Sequence, residues 1–413
     1  MGWLAGKGLR DKLLAGTMLP VQKPAVKVKP RKKTLPVPPA YPSAPHVFVD
    51  LPAAARKKVA PRQSPLDIAN GLIRQLKPMK PALAEFFCDK ADPSAHPPER
   101  RTLAMARAAR VTAPTSEEIY AVMQAYGVQG GPTQMGQTDV SHMPFLTNRN
   151  TNWSLLFSNP NTKQLAWKLI VTALEHAYLT EFAAEGAHTY PVRIYCPDGV
   201  TVLSVGHSDI PLAALPYGEA DLQFYKAARV ASEAGKECIC VTIDTDAFLM
   251  HVAGGFTPER AFILDLPSGR VCGRLLAAAF GGTDPEVRLN AAFWMLTLGC
   301  DYSVPFTRFG LWNKSLVEKI HAAMHRNGTA QVISVDAAKG EWTFDCREAQ
   351  LQIGQMPTRN VTSLKCVHTL KQGVQDALFC LRYYSFSFDA DGPPYPPHPC
   401  TSRADTVVCT LPA

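Results

Sequence analysis

Apolar positions along the chain alternate between short continuous runs and helically spaced stripes. His46-Val-Phe-Val-Asp50 is a short apolar run closing on an acid. Leu66, Ile68, Leu72, Ile73 and Leu76 then recur at helical spacing over residues 65–78. Leu83-Ala-Glu-Phe-Phe-Cys-Asp89 is a second apolar run ending in an acid, and PERRTLAMARAAR over 98–110 predicts a basic helix. Residues 111–162 are mixed, with a Gly/Gln-rich stretch at 127–137, and predict an irregular excursion. Trp167 to Ala184 predicts an amphipathic helix, and Val192 to Val205 two short strands around a Pro-Asp-Gly turn. Glu219 to Gly235 predicts a helix with Gly at its end. Cys238-Ile-Cys-Val-Thr-Ile-Asp244 is the third apolar run to end in an acid. A further strand is expected at 260–266, and helices at 287–299 and 314–326. Strands alternating with helices predict an α/β fold, a mostly parallel central sheet flanked by helices.

The ends of the chain break this pattern. Residues 1–19 predict a short amphipathic helix stopping before Pro20. Residues 20–45 hold eight prolines, six Lys or Arg and no acid, a composition for an extended, solvated linker. Its KVKPRKK cluster suits a nuclear-import signal, a phosphate-binding arm or simple solubility. Residues 390–413 form a Pro-rich tail short of core residues.

Composition adds limits. Apolar residues make up 46% of the 413 and charged residues 19%, so most of the chain has the makings of a packed core. The net charge of +8 is unevenly spread: residues 1–110 hold 21 Lys or Arg against 7 Asp or Glu, and the remainder 22 against 28. A basic first part and an acidic remainder suit a protein that meets phosphates with one and cations with the other. No apolar run is long enough to span a bilayer, which speaks against a membrane partner, and the start has no secretory pattern. Eleven scattered cysteines predict a reduced, intracellular chain.

The acids carry the candidate chemistry. In open parallel sheets, sites form beyond the carboxyl ends of the strands, where Asp50, Asp89 and Asp244 are expected. Glu219 and Asp221 in PYGEADLQ, Asp246 in TIDTD and Asp301 in LGCDYS complete a set of seven. Crowded carboxylates repel unless cations neutralise them. Mg²⁺ prefers such oxygens, and two ions about 4 Å apart can drive phosphodiester hydrolysis. Taken separately, a D-x-D in a loop or an E-x-D on a helix is usually only solvated.

These segments together resemble the flap endonuclease/XPG family of structure-specific nucleases. Met1-Gly2-Trp-Leu with Leu9 and Leu13 is similar to the family's opening, and HVFVD to its first strand ending in a metal-site Asp. FFCDK followed by ERR and RAAR resembles its second Asp strand and basic helix. PYGEADLQ resembles PxEA[ED]AQ, TIDTD resembles [ST]-x-D-x-D, and LGCDY matches LG[CS]DY unchanged. The order is the family's, over roughly residues 1–15, 46–110 and 210–310.

The resemblance implies a PIN-like core made of an N-terminal nuclease part at 46–112 and an internal nuclease part at 191–310, with a helical arch region at 113–190 and a C-terminal helical and strand extension at 311–389. Asp50, Asp89, Glu219 and Asp221 would hold one Mg²⁺, and Asp244, Asp246 and Asp301 a second, with Mn²⁺ as substitute. Arg100 and Arg107, with Arg101 and Arg110, would steer the scissile phosphate, and Gly2 would let the N-terminus pack near the site. The implied activity is hydrolysis of DNA at a 5′ flap, gap or free 5′ end, in the nucleus or at a viral replication site. Virus-encoded relatives that degrade messenger RNA make RNA the alternative substrate, and a binding module without chemistry is a third reading. All seven carboxylates are present, which opposes the third.

Departures from the family are specific. The linker at 20–45 is an insertion, Arg56 stands where a base-stacking Tyr is frequent, and FCDKADP replaces FDGxxP. After LGCDY, the segment SVPFTRFGLWNKSLVEKI has one glycine, Gly310, in place of the Gly-rich turn that binds duplex backbone with K⁺. A sliding-clamp motif begins at Gln375-Asp-Ala-Leu378 but fails at Leu381-Arg382, where aromatics belong. His321 and His325 lack the Glu of a zinc-protease helix and read as an exposed helix face. Cys238 and Cys240 read as packing residues of a buried strand.

Overall fold

A computed structural model describes residues 18–19, 43–56, 58–89, 115–126, 139–158, 160–184, 190–198, 201–206, 220–242, 250, 252–253, 262–266, 269–272, 284–296, 332–339, 341–345, 381 and 406–410. The chain divides into two compact units, one of residues 40–244 and one of residues 1–39 with 245–413.

The 40–244 unit is built on five strands: β1 (His46–Asp50), β2 (Leu83–Phe87), β3 (Val192–Tyr195), β4 (Val202–Val205) and β5 (Cys238–Val241). Their order is β5-β1-β2-β3-β4. β5, β1, β2 and β3 run parallel, and β4 closes the edge antiparallel to β3. The sheet is therefore mostly parallel and flanked by helices. Register aligns His46 with Leu83 and with Cys238. The chain steps from β1 to β2 to β3, then returns to place β5 on the other side of β1. The order reverses between β1 and β5, which makes their carboxyl ends the switch point where parallel sheets offer a crevice.

The helices of this unit are α1 (Leu51–Arg56), α2 (Pro65–Leu76), α3 (Ser116–Ala125), α4 (Met143–Leu146), α5 (Trp153–Ser158), α6 (Pro160–Ala183) and α7 (Ala220–Glu233). α2 starts with a capping box: Ser64 Oγ accepts from the Asp67 N–H, and the Asp67 carboxylate accepts from the Ser64 N–H. α7 ends where predicted, at Gly235 with φ +88°.

Strand parity sorts the sheet into two faces. Val47, Val49, Phe86 and Ile194 lie on one, where Phe86 meets Tyr178 of α6. His46, Phe48, Glu85, Phe87, Arg193, Tyr195, Cys238 and Cys240 lie on the other, where the Cys238 thiol reaches the Ala228 carbonyl of α7 at 3.5 Å. Both faces are buried, as helix cover on each side requires. The α7 face carries stacked Phe87 and Tyr195 rings 4.5 Å apart. Beside them lies a buried ion pair, Arg193 Nη1 to Glu85 Oε1 at 3.5 Å, with the Tyr195 hydroxyl donating to the same oxygen at 2.9 Å.

β3 and β4 pair as the predicted two strands, and between them Asp198 accepts from the Thr201 N–H at 2.8 Å. After β4 the chain turns at Gly206, whose φ is +81°. A Cβ there would stand 2.6 Å from Phe182 Cζ. Gly206→Ala is therefore expected to destabilise the unit by about 1–3 kcal/mol. Chemical denaturation checks it, and an unchanged midpoint would refute the close approach.

Residues 111–162, expected to be irregular, hold α3, α4 and α5 among the described residues. α3 owes its start to a second reciprocal cap, in which the Thr115 hydroxyl accepts from the Glu118 N–H and the Glu118 carboxylate from the Thr115 N–H. Asn152 caps the start of α5, its amide oxygen accepting from the Leu155 N–H. α6 begins at Pro160, seven residues before the predicted Trp167, and proline suits a first helical turn. The basic helix expected at 98–110 lies outside the described residues.

In the second unit, β6 (Phe262–Leu266) and β7 (Gly269–Cys272) form an antiparallel pair, and Met18–Leu19 adds a short antiparallel strand to β7. The helix expected over 1–19 therefore does not extend through Met18 and Leu19. A second antiparallel sheet joins β8 (Ile333–Asp336), β9 (Glu341–Asp345) and β10 (Thr406–Thr410), with β9 central. Thr406–Thr410 falls in the expected Pro-rich tail, where the β-branched residues of TVVCT favour a strand. Helix α8 (Pro285–Leu296) docks on β8 through Asn290, whose amide donates to the Ile333 carbonyl and accepts from the Val332 N–H, each at 2.8 Å. The helix expected at 314–326 lies outside the described residues. Among those residues, no helix is long and apolar enough to cross a membrane.

Candidate active site at the carboxyl ends of the strands

Asp50 is the last residue of β1, and its parity places it on the α7 face. It is buried, and both carboxylate oxygens are engaged. Oδ1 accepts from the Ala53 N–H at 3.1 Å, one turn into α1. Oδ2 accepts from the Thr242 hydroxyl at 2.8 Å. Thr242 follows β5 with the parity of Cys238 and Cys240, so this bond crosses the switch point between β1 and β5.

Asp89 lies two residues beyond β2 and is also buried. Its Oδ1 accepts from the Ala220 N–H at 3.2 Å, at the start of α7. A carboxylate at a helix N-terminus meets unsatisfied N–H groups and the positive end of the helix dipole. Its Oδ2 faces the Lys163 ammonium of α6 at 3.4 Å. Asp221, next to Ala220 in the first turn of α7, is half-buried. The turn that carries Asp221 is thus tied to the end of β2 through Asp89.

Cys88 separates Phe87 from Asp89, and burial pushes its thiol well above the ordinary value, with Asp89 and Asp50 adding to the rise. Burial also holds Cys240 well up and raises Cys238 to about 12. With no ion bound, burial favours the protonated form of these thiols. The remaining donors are hard carboxylate and hydroxyl oxygens, the kind that Mg²⁺ and Mn²⁺ accept. Among the described residues, no group of three or more His, Cys, Asp or Glu is gathered to hold an ion unaided. Asp50, Asp89 and Asp221 fit an oxygen-ligated ion in kind. Glu219, Asp244, Asp246 and Asp301 lie outside the described residues, as do Arg100, Arg101, Arg107, Arg110, Gly2, Gln375 to Leu378, His321 and His325.

The Thr242 and Lys163 contacts go beyond the motifs. Thr242 is legible in principle, because it continues the alternation of Cys238 and Cys240. Nothing in the sequence pairs Lys163 with Asp89, 74 residues away. Thr242→Val keeps the shape and deletes the hydroxyl that serves Asp50. A buried carboxylate that loses one donor should cost about 1–3 kcal/mol, read as a lower denaturation midpoint. A midpoint equal to that of the wild type would show the bond to be dispensable.

Compared with known proteins, the chain matches no family model, and no curated protein matches it. The structure defines an α/β protein with buried carboxylates at the carboxyl ends of β1 and β2 in a mostly parallel sheet. The resemblance to flap endonucleases rests on the sequence motifs alone.

Proposed function

We propose that this protein is a Mg²⁺-dependent, structure-selective nuclease of the flap endonuclease/XPG type, hydrolysing DNA phosphodiester bonds at a 5′ flap, gap or free 5′ end. One observation carries the reading: strand parity sets Asp50, Asp89 and Thr242 on the α7 face, and Asp89 takes the first N–H of the helix bearing Asp221. Lys163 already faces Asp89, and a divalent ion with a phosphodiester substrate would supply the further counter-charge that clustered acids favour. In this reading Asp50, Asp89 and Asp221 act with Glu219, Asp244, Asp246 and Asp301 to hold Mg²⁺ or Mn²⁺, which supplies charge neutralisation and an activated water when bound. Thr242 and the Ala53 N–H fix the Asp50 carboxylate, and the Ala220 N–H fixes that of Asp89. Arg100 and Arg107 act on the phosphate. Contacts are mainly to phosphate, so binding should weaken steeply with salt and depend little on base sequence.

The test is a panel of labelled 5′-flap, gapped, nicked and blunt DNA, with single-stranded RNA of equal length, incubated with Mg²⁺ or with a chelator. Mg²⁺-dependent cleavage of the flap or gapped DNA, releasing 5′-phosphate products, is the expected result. Cleavage of RNA alone would reassign the substrate, and no metal-dependent cleavage of any member would overturn the reading.

A further inference from the structure

Lys163 stands at this site for reasons that its own helix does not supply. It lies in the first turn of α6, where a cation opposes the helix dipole. Its position is nevertheless firmly set. The adjacent Thr162 is fully buried and donates to the Leu155 and Leu156 carbonyls, tying the start of α6 to α5. α5 is anchored in turn by Trp153, whose indole N–H donates to the Gln63 carbonyl at 2.8 Å. Phe157 packs against Trp167, and Leu165 and Ala166 are fully buried. The Lys163 side chain is 29% exposed and its partner carboxylate 8%, so Lys163 lies at the rim of the buried acids and is partly open to solvent.

The 3.4 Å separation from Asp89 Oδ2 is longer than the roughly 2.7–2.9 Å of a tight ammonium–carboxylate bond. An ammonium has three donors, and this loose contact uses one of them. A cation held in place but weakly engaged, at the mouth of a carboxylate site, is suited to receive an anionic oxygen from outside.

We propose that Lys163 is a substrate-binding residue. Its ammonium neutralises Asp89 in the free protein and contacts a phosphate of the nucleic-acid strand when the site is loaded, leaving Asp89 Oδ2 to a divalent ion. The proposal rests on the nuclease reading and adds to it a second basic element, separate in sequence from Arg100 and Arg107. Two consequences distinguish this role from mere packing. Removing the Lys163 charge removes a cation that competes for Asp89, so divalent ions bind more tightly in the absence of nucleic acid. Nucleic acid, by contrast, binds with one phosphate contact fewer.

The experiment compares the full-length wild type with Lys163→Met and Lys163→Arg. Mn²⁺ binding without nucleic acid is measured by calorimetry, the affinity for 5′-flap DNA across a salt series in Ca²⁺, and the cleavage rate in Mg²⁺. For Lys163→Met, Mn²⁺ affinity should rise by about fivefold. The slope of log affinity against log salt should fall by about one, and cleavage should slow by about tenfold or more. Lys163→Arg should restore the salt slope and most of the rate, which excludes misfolding of the first turn of α6. A Met variant with wild-type Mn²⁺ affinity, salt slope and rate overturns the role of Lys163 while the nuclease reading stands. A wild-type protein that neither binds Mn²⁺ nor cleaves any nucleic acid overturns both.

Discussion

Asp89→Asn should slow Mg²⁺-dependent cleavage by about a thousandfold or more and leave the fold in place. The substitution preserves shape. Its amide oxygen can still accept from the Ala220 N–H, the contact that fixes the start of α7. It removes the negative charge that the proposed ion and the Lys163 ammonium share. Lys163 would then face a neutral amide from a partly exposed position, a loss of about 1 kcal/mol or less. Activity and stability are thus expected to separate. The decisive pair of measurements is single-turnover cleavage of a 5′-flap substrate and a denaturation curve on the same preparation. Full activity with an intact fold would remove Asp89 from the metal set. Asp244→Asn is expected to behave alike, abolishing cleavage while DNA binding persists.

Arg193→Met should destabilise the protein more than Gly206→Ala or Thr242→Val, costing about 3–5 kcal/mol near neutral pH. Arg193 and Glu85 are register neighbours on β3 and β2, buried together on the α7 face with Tyr195. Without the guanidinium, Glu85 would be a buried carboxylate served by the Tyr195 hydroxyl. In the wild type, burial already raises the Glu85 carboxyl above its ordinary value, with Tyr195 and Arg193 opposing that rise. A carboxyl whose folded-state value lies above its unfolded value favours the fold when protonated. That contribution is fully present below the unfolded value and lost as pH rises through the folded one. Removing Arg193 raises the folded value further, so the variant's deficit should be largest near neutrality and shrink in acid. Adding Glu85→Gln should recover part of the loss at pH 7. A deficit independent of pH, or a double variant no better than the single, would show that packing rather than charge governs the pair.

The part of the fold that is legible in the sequence is the part whose local chemistry and tertiary role agree. His46–Asp50, Leu83–Phe87 and Cys238–Val241 are buried on both faces, so they read as continuous apolar runs. Asp50 and Asp89 close two of them and mark the edge where the apolar run stops. The helix ending at Gly235 and the turn at Asp198 follow from glycine and Asx chemistry. The segment 111–162 looks irregular because its helices are short and weakly periodic, although Thr115-Ser-Glu-Glu118 carries a reciprocal cap. Thr406–Thr410 is hidden by the prolines that dominate its surroundings. At the candidate site, Asp50, Asp89 and Asp221 emerge from pattern, and Thr242 lies within reach of the same alternation. Lys163 does not, because an ion pair between segments 74 residues apart leaves no trace in local spacing.

Because β1 lies between β2 and β5, its two edges are paired at different times during biosynthesis. β1 can pair with β2 as soon as residue 87 is available, but its other edge waits for β5. Asp50 and the Thr242 hydroxyl it accepts from are 192 residues apart. At translation rates of about 5–20 residues per second, that gap lasts on the order of 10–40 seconds. Throughout that interval the nascent chain carries an open parallel edge along a strongly apolar strand, a surface that invites mispairing. The Asp50–Thr242 contact at the switch point is therefore among the last parts of this unit to be assembled on the ribosome. Any chaperone contact that shields the β1 edge would, by the same geometry, also hold the site incomplete until β5 emerges.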